Sequence, residues 1–476
     1  MLYIGGEWTQ AEAGREFPVH DPATGELVGM AADASAADAE RAVAAAAAAF
    51  PAWAGLTARE RSAFLMKLLG LMRQKRDELA TLIAREMGKP FGEAKGEVAY
   101  AMQFVEWYAE EAKRAYGETI PGTFANQRIM VITRPVGPVA AITPWNFPVA
   151  MVTRKIAPAL AAGCTVVLKP AEQTPLTAKL MVQLCQEAGI PAGVVNLITT
   201  SNPAPVGEIL LHDERIRKVA FTGSTAVGKF LMKQAADGLK RVSLELGGHA
   251  PYIVFPDADL EKAAKDAALA KFQNGGQACV AVNRVYVHAD VVERFTELLV
   301  ARVKRLKVGP GMAEGVAVGA LVDGEALTKV AAHVADAVAG GAQVACGGEA
   351  LTSGEYAKGH FFAPTVLTGV SPSAQIVQEE TFGPAVPVLT FTDEAEVLAE
   401  ANRTPYGLAA YLYTRDIGRI FRFSEGLEFG LIGVNEPFPG VAQAPFGGMK
   451  GSGMGREGGH HGLAEFMEVK TVAIQF

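Results

Sequence analysis

Residues 165–199 read TVVLKPAEQTPLTAKLMVQLCQEAGIPAGVVNLIT. A β-branched run closes at Lys169, apolar residues at helical spacing fill the middle, and a second β-branched run follows Pro191 and Gly193. Strand, helix, strand is the grammar of a parallel sheet. It continues through PAPVGEILLHDE, KVAFTG, STAVGKFLMKQAAD and RVSLELGG, so the chain reads as an α/β protein. Sheets of this kind bind ligands at the carboxyl ends of their strands.

Upstream, RIMVITRPVGPVAAITP holds short β-prone runs from about residue 128, and the first third ahead of it reads as helical. SAADAERAVAAAAAAF is a helix with Ser35 as its N-cap, alanine being the best helix former. TARERSAFLMKLLGLMRQKRDELATLIAREMG reads as one helix ending at Gly88 before Pro90, and GEVAYAMQFVEWYAEEAKRAYG as another. A second alternating region runs from about Ala250 to Arg456, and the tail FMEVKTVAIQF is an alternating strand that calls for a pairing partner.

A chain of 476 residues suggests about two or three domains. Half its residues are hydrophobic, enough for a large core. A net charge of −7 without a basic cluster argues against nucleic acid as a partner. The four cysteines form no CxxC pattern, so neither a disulfide scaffold nor a metal site is expected, and a reducing cytoplasm is the simplest location. The first ten residues carry no basic-then-apolar leader. The uncharged stretch 135–153 contains four prolines, which argues for buried strand and loop against a membrane span.

Four stretches place special residues at strand-to-loop junctions. In TPWNFP, Asn146 offers fixed N–H donors for a carbonyl oxygen, or is a turn residue. In VVLKPAEQTP, Lys169 and Glu172 suit a ribose diol, with the carboxylate repelling a 2′-phosphate, or form a surface pair. In FTGSTAVG, Gly223 and Ser224 open a helix whose N–H groups favour phosphate, although the GxGxxG fingerprint is absent. GSGMG at 451–455 has glycine spacing but no following βαβ unit, so it reads as a loop. In LELGGHAP, apolar neighbours would raise the Glu245 pKa toward that of a general base, the alternative being a capping glutamate. Cys279, in FQNGGQACVAVNR, follows a polar glycine-rich stretch that suggests exposure; composition leaves it between inert filler and nucleophile.

In order and spacing, PWNFP, LKPAEQTP, FTGST, LELGG, GGQAC, EETFGP and APFGG resemble the aldehyde dehydrogenase superfamily. The resemblance covers nearly the whole chain, from GGEW to PFGGMKGSGMGREGG. It implies Cys279 as the nucleophile, Asn146 with the Cys279 N–H as oxyanion donors, and Glu245 as the base that activates water. Trp145, Lys169, Glu172, Gly223, Ser224, Leu246, Glu380 and Phe382 match cofactor residues, implying NAD, with NADP as the weaker alternative. Glu245 argues for hydrolysis over transfer to coenzyme A, and its presence with Cys279 and Asn146 argues against a non-catalytic structural member.

The implied architecture is a Rossmann-like NAD-binding domain (1–116 and 136–247), an α/β catalytic domain (248–461) and a small β oligomerisation flap (117–135 and 462–476), in a homodimer or homotetramer. FPVAMVTRKIAPALAAGC and GREGGHHGLAEFMEVK look most like the succinate-semialdehyde dehydrogenase branch. There Arg154 matches an arginine that binds the distal carboxylate, with Phe446 beside the substrate. That branch has a second arginine where Gln273 stands and a serine where Val441 stands, so the charged clamp is halved. Ala281 replaces a second cysteine found in many members.

Overall fold

The computed structural model describes residues 1–476. The 165–199 reading holds. Val166–Lys169 and Val195–Leu197 are parallel strands joined by the helix Pro175–Glu187. Five strands run parallel in the order Val195–Leu197, Val166–Lys169, Val139–Ile142, Lys218–Thr222, Arg241–Glu245. Val139–Ile142 comes first in the chain; the next two strands add on one side and the last two on the other. The order therefore reverses between Val139–Ile142 and Lys218–Thr222, opening the crevice where such sheets take ligands. The register aligns Ile142 with Lys169 and with Phe221, and Thr222 with Glu245. All four junctions singled out in the sequence thus emerge at one edge.

Antiparallel strands close both sides of this sheet. Leu2–Ile4 and Glu7–Thr9 flank one side, where the sequence reading had only helices. Gly453–Met454 pairs with Leu244 and Glu245 on the other. GSGMG is therefore not wholly loop: it carries the strand that covers the edge holding Glu245. The predicted helix over 57–88 is two, Ala58–Gln74 and Arg76–Met87, parting at Lys75 (φ −98°, ψ 16°). No glycine or proline marks that break. Both halves pack on Phe91–Glu111 and on Pro175–Glu187; the first also packs on Ala150–Ala162 and the second on Glu16–His20. Ser35 caps Ala36–Gly55 through a capping box with Asp38, as expected.

The second region forms a seven-stranded sheet, in the order Gln343–Cys346, Thr365–Thr368, Ala385–Phe391, Val282–His288, Ala250–Val254, Ala409–Tyr413, Leu431–Val434. All neighbours are parallel except the first pair. Here the expected rule of ligands at carboxyl ends fails. Cys279 precedes Val282–His288, Glu380 and Phe382 precede Ala385–Phe391, and Gly247 and Gly248 precede Ala250–Val254. This sheet meets the crevice with its amino ends.

The tail strand Met467–Gln475 finds its partner within the chain, pairing antiparallel with Gln127–Pro135, which in turn pairs with Glu118–Pro121. No helix is long and apolar enough to cross a membrane. The stretch 135–153 resolves into the buried strand Val139–Ile142, a loop and the start of the helix Ala150–Ala162.

Candidate active site

A cavity of about 580 Å³ lies between the two sheets. Its wall includes Trp145, Asn146, Gly223, Ser224, Leu246, Cys279, Glu380 and Phe382, gathered from both. Lys169 and Glu172 sit outside this wall as an ion pair at 3.5 Å. Burial lowers the Lys169 pKa, and Glu172 opposes that shift.

Cys279 is half-buried, in keeping with the partial exposure its polar flanks suggest. Burial pushes its thiol up to about 12; Arg154 pulls it down, while Glu380 and Glu245 push it higher. The resting group is therefore a neutral thiol, and the nucleophile needs a proton acceptor. Gly248 makes room for it: a Cβ there would stand 2.1 Å from the Cys279 carbonyl oxygen. No backbone carbonyl accepts from the Cys279 N–H. The Asn146 Nδ2 donates to the Gln277 carbonyl at 3.1 Å, which fixes the amide beside the cysteine loop.

Glu245 is 3% exposed, and neither carboxylate oxygen has a hydrogen-bond partner. Burial first, then the nearby Glu457, raise its pKa well above the ordinary carboxylate value. The sequence reading anticipated the desolvation but not Glu457. That residue accepts from Lys155 Nζ at 2.7 Å and lies 2.6 Å from Arg154 Nε, at an angle that makes an ion pair and not an aligned hydrogen bond. Lys155 also donates to Thr222 at 2.6 Å. Two buried cations share one carboxylate, leaving an excess positive charge behind Cys279 and Glu245.

This arrangement places Arg154, the expected partner of a distal carboxylate, in a buried ion pair. Arg154 is 2% exposed, paired to Glu457, with its guanidinium carbon 3.9 Å from the Phe446 ring centroid. Against the lowering effect of burial, Glu457 raises its pKa, so it stays charged. One of its donors, Nη2, has no partner. Arg154, Gln273, Val441 and Phe446 all lie off the cavity wall, where Met151 stands instead.

The wall suits a dinucleotide. Ser224 caps the helix Thr225–Ala235, its Oγ accepting from the Val227 N–H, and the first-turn amides are an anion site. A Cβ on Gly247 would lie 2.8 Å from Glu380 Oε2 and 3.3 Å from Thr225 Oγ1, so glycine keeps that space clear. Glu380 Oε1 accepts from the Gly248 N–H at 2.8 Å, which leaves Oε2 without a protein donor. Burial raises its pKa to about 7. Phe382 packs edge-on against Trp145, centroids 5.5 Å apart, from a backbone at φ 54°. Such a φ is costly for a bulky residue and clusters at functional sites. Lys329 also lines the wall and donates to the Glu380 carbonyl at 2.6 Å. A single lysine on an amphipathic helix gave no signal in the sequence.

The sequence profile of the Aldehyde dehydrogenase family matches residues 8–472. The chain belongs to that family. Among relatives of this aldehyde dehydrogenase, a glutarate-semialdehyde dehydrogenase of Pseudomonas putida is 51% identical over 474 residues, covering 100% of this chain and 97% of that one. A succinate-semialdehyde dehydrogenase (NADP+), GabD, of Escherichia coli is 50% identical over 471 residues, covering 99% and 97%. A crystal structure of an E. coli NADP dependent enzyme superposes with a TM-score of 0.98 at 49% identity, covering 100% of this chain and 98% of that one. The family uses NAD(P) to oxidise aldehydes, and the α/β architecture of this aldehyde dehydrogenase agrees with that assignment.

Proposed function

We propose that this enzyme oxidises a short aldehyde bearing a distal carboxylate, such as succinic or glutaric semialdehyde, to the dicarboxylic acid. The observation that carries the reading is the meeting of Cys279 and Asn146 on one inter-sheet cleft, with the partner-free Glu245 buried beside the wall residue Leu246 and near enough to push the Cys279 thiol up. The semialdehyde names of relatives about half identical to this chain supply the substrate class.

Glu245 accepts the Cys279 proton, and the thiolate adds to the aldehyde carbon to give a thiohemiacetal. The Asn146 amide and the Cys279 N–H hold the oxyanion. Bound NAD(P) supplies the hydride acceptor, and loss of hydride leaves a thioester on Cys279. Glu245 loses the first proton to solvent, then takes one from the water that attacks the thioester, and returns it to the departing thiolate as the acid leaves, which restores the thiol. The excess charge of Arg154 and Lys155 over Glu457 favours the anionic stages. Of the four substrate residues expected from the sequence, Arg154 alone carries charge, and a distal carboxylate would reach its buried, partner-free Nη2 only through a shift of the wall at Met151. Gln273 and Val441 supply neither a second cation nor a hydroxyl.

NAD is the favoured dinucleotide because Glu172, beside Lys169, would oppose a 2′-phosphate. The NADP+ in the GabD name marks the competing reading. The division into NAD-binding, catalytic and flap segments at the boundaries above belongs to the same reading. Exposed Ile120, Val469, Ile474 and Phe476 on the three-stranded sheet support its assembly with a second copy.

A panel of aldehydes of matched length, with and without the carboxylate, tests the substrate class. One charge-assisted hydrogen bond predicts about a tenfold advantage in kcat/KM for the acids. Equal values for succinic semialdehyde and butanal would sink it.

A further inference from the structure

Asn146 and the cysteine loop are joined by a buried polar web centred on Lys89 and Glu97, whose side chains are each 1% exposed. We propose that the Lys89–Glu97 ion pair is a positioning device for the oxyanion site. It holds the Asn146 amide in register with Cys279 and so controls the rate of the steps that pass through a tetrahedral oxyanion, without touching substrate. The proposal rests on the reading of Asn146 as an oxyanion donor given above.

The geometry is specific to Asn146. Lys89 Nζ donates to Glu97 Oε2 at 2.5 Å and to the Asn146 carbonyl at 2.8 Å, and sits 3.9 Å from the Phe147 ring centroid. Glu97 Oε1 accepts from the N–H groups of Val149 at 2.8 Å and Ala150 at 3.2 Å, where the next helix begins. One ion pair therefore grips the chain at Asn146 and again three and four residues later. The peptide after Asn146 cannot rotate without breaking a charge-assisted bond in a dry site.

The web extends to the nucleophile. Asn274 Nδ2 donates to the same Asn146 carbonyl at 2.9 Å and to the Gln277 carbonyl at 3.1 Å. That Gln277 oxygen is also the acceptor of the Asn146 amide. Asn274 adopts φ 53°, and its N–H donates to Glu93 Oε2 at 2.7 Å. The corner carrying Lys89 is anchored to the other half of the molecule, the Phe91 N–H donating to the Gly311 carbonyl at 2.8 Å. The ion pair thus links the loop after the first sheet to the loop before the second. Oxyanion donors act over a few tenths of an ångström, so small errors in this link appear in rate before they appear in binding.

The test is the double variant Lys89→Met/Glu97→Gln, which removes both charges together and strands neither. It is expected to lower kcat about tenfold. The KM for cofactor and the rate of Cys279 alkylation by iodoacetamide should stay within about twofold, since neither uses the oxyanion donors. In an Asn146→Ala background the double variant should cost nothing further, because the residue it positions is gone. An unchanged kcat overturns the proposal, as does a parallel fall in kcat, cofactor affinity and alkylation rate, or full additivity with Asn146→Ala. Should the double variant fail to fold, Glu97→Gln alone serves: it releases Val149 and Ala150 and is expected to lower kcat partially with the same lack of additivity. Additive or absent effects there count against the proposal. If Asn146→Ala itself retains wild-type kcat, the site reading fails; if only the positioning variants retain it, the positioning proposal alone fails.

Discussion

The two parallel sheets meet the cavity with opposite ends of their strands. The first presents carboxyl ends: Asn146 follows Ile142, Gly223 follows Thr222, and Glu245 closes its strand. The second presents amino ends, with Cys279 ahead of Val282 and Glu380 and Phe382 ahead of Ala385. The carboxyl-end rule follows from βα turns and helix N-termini, and the first sheet obeys it. The second cannot draw on those turns. It builds its part of the site from a strained approach, with Asn274 at φ 53° and Phe382 at φ 54°, held by side-chain hydrogen bonds. A regular scaffold thus positions Glu245 and Asn146, proposed as base and oxyanion donor, and an irregular one positions Cys279, proposed as the nucleophile.

The largest break in this division of labour is Cys279→Ala. Loss of the second sheet's nucleophile should lower turnover by about 10³-fold or more while the cleft still binds the dinucleotide. Measurable turnover within tenfold of wild type would move the nucleophile elsewhere.

Glu245→Gln probes the first sheet's contribution and should slow steady turnover by about 10²-fold. With the wild type, the raised pKa of Glu245 keeps its carboxyl protonated above the usual carboxylate range, and the thiol, pushed up to about 12, adds the same trend. The base is gained only as pH rises through that raised value, so kcat should climb with pH above the ordinary carboxylate range. A flat profile in the wild type, or a Glu245→Gln enzyme as fast as wild type, would show that the two sheets do not divide the chemistry in this way.

The smallest effect concerns the outer end of the first sheet. Glu172→Ser should shift the NAD-to-NADP ratio of kcat/KM toward NADP by a few-fold to about tenfold, since the carboxylate is partly exposed and screened. A wild-type preference for NADP would remove Glu172 as a discriminator.

Much of the first sheet was legible in the sequence because parallel strands and their helices advertise themselves by period. Its four junctions fell where the runs end, and register then brought them to one edge. The second sheet's share was visible only through resemblance, because nothing local distinguishes a loop before a strand from one after it. Glu457, Lys155 and Lys89 escaped for a related reason. Each is charged and reads as surface, yet each is buried by partners far along the chain, such as Glu457 some 302 residues beyond Lys155. The break at Lys75 had no sequence mark, since neither glycine nor proline stands there.

By itself the sequence determined the α/β class, the strand-to-loop positions of Asn146, Lys169, Gly223 and Glu245, and the expectation that apolar neighbours would raise the glutamate's pKa. Those are consequences of local period and local polarity. Tertiary structure alone decided that burial pushes the Cys279 thiol up, that Arg154 is buried against Glu457 yet stays charged, and that Lys89, paired with Glu97, donates to the Asn146 carbonyl. Charge, burial and hydrogen-bond partnership depend on distances between segments remote in sequence, and only the packing of the two sheets sets those distances.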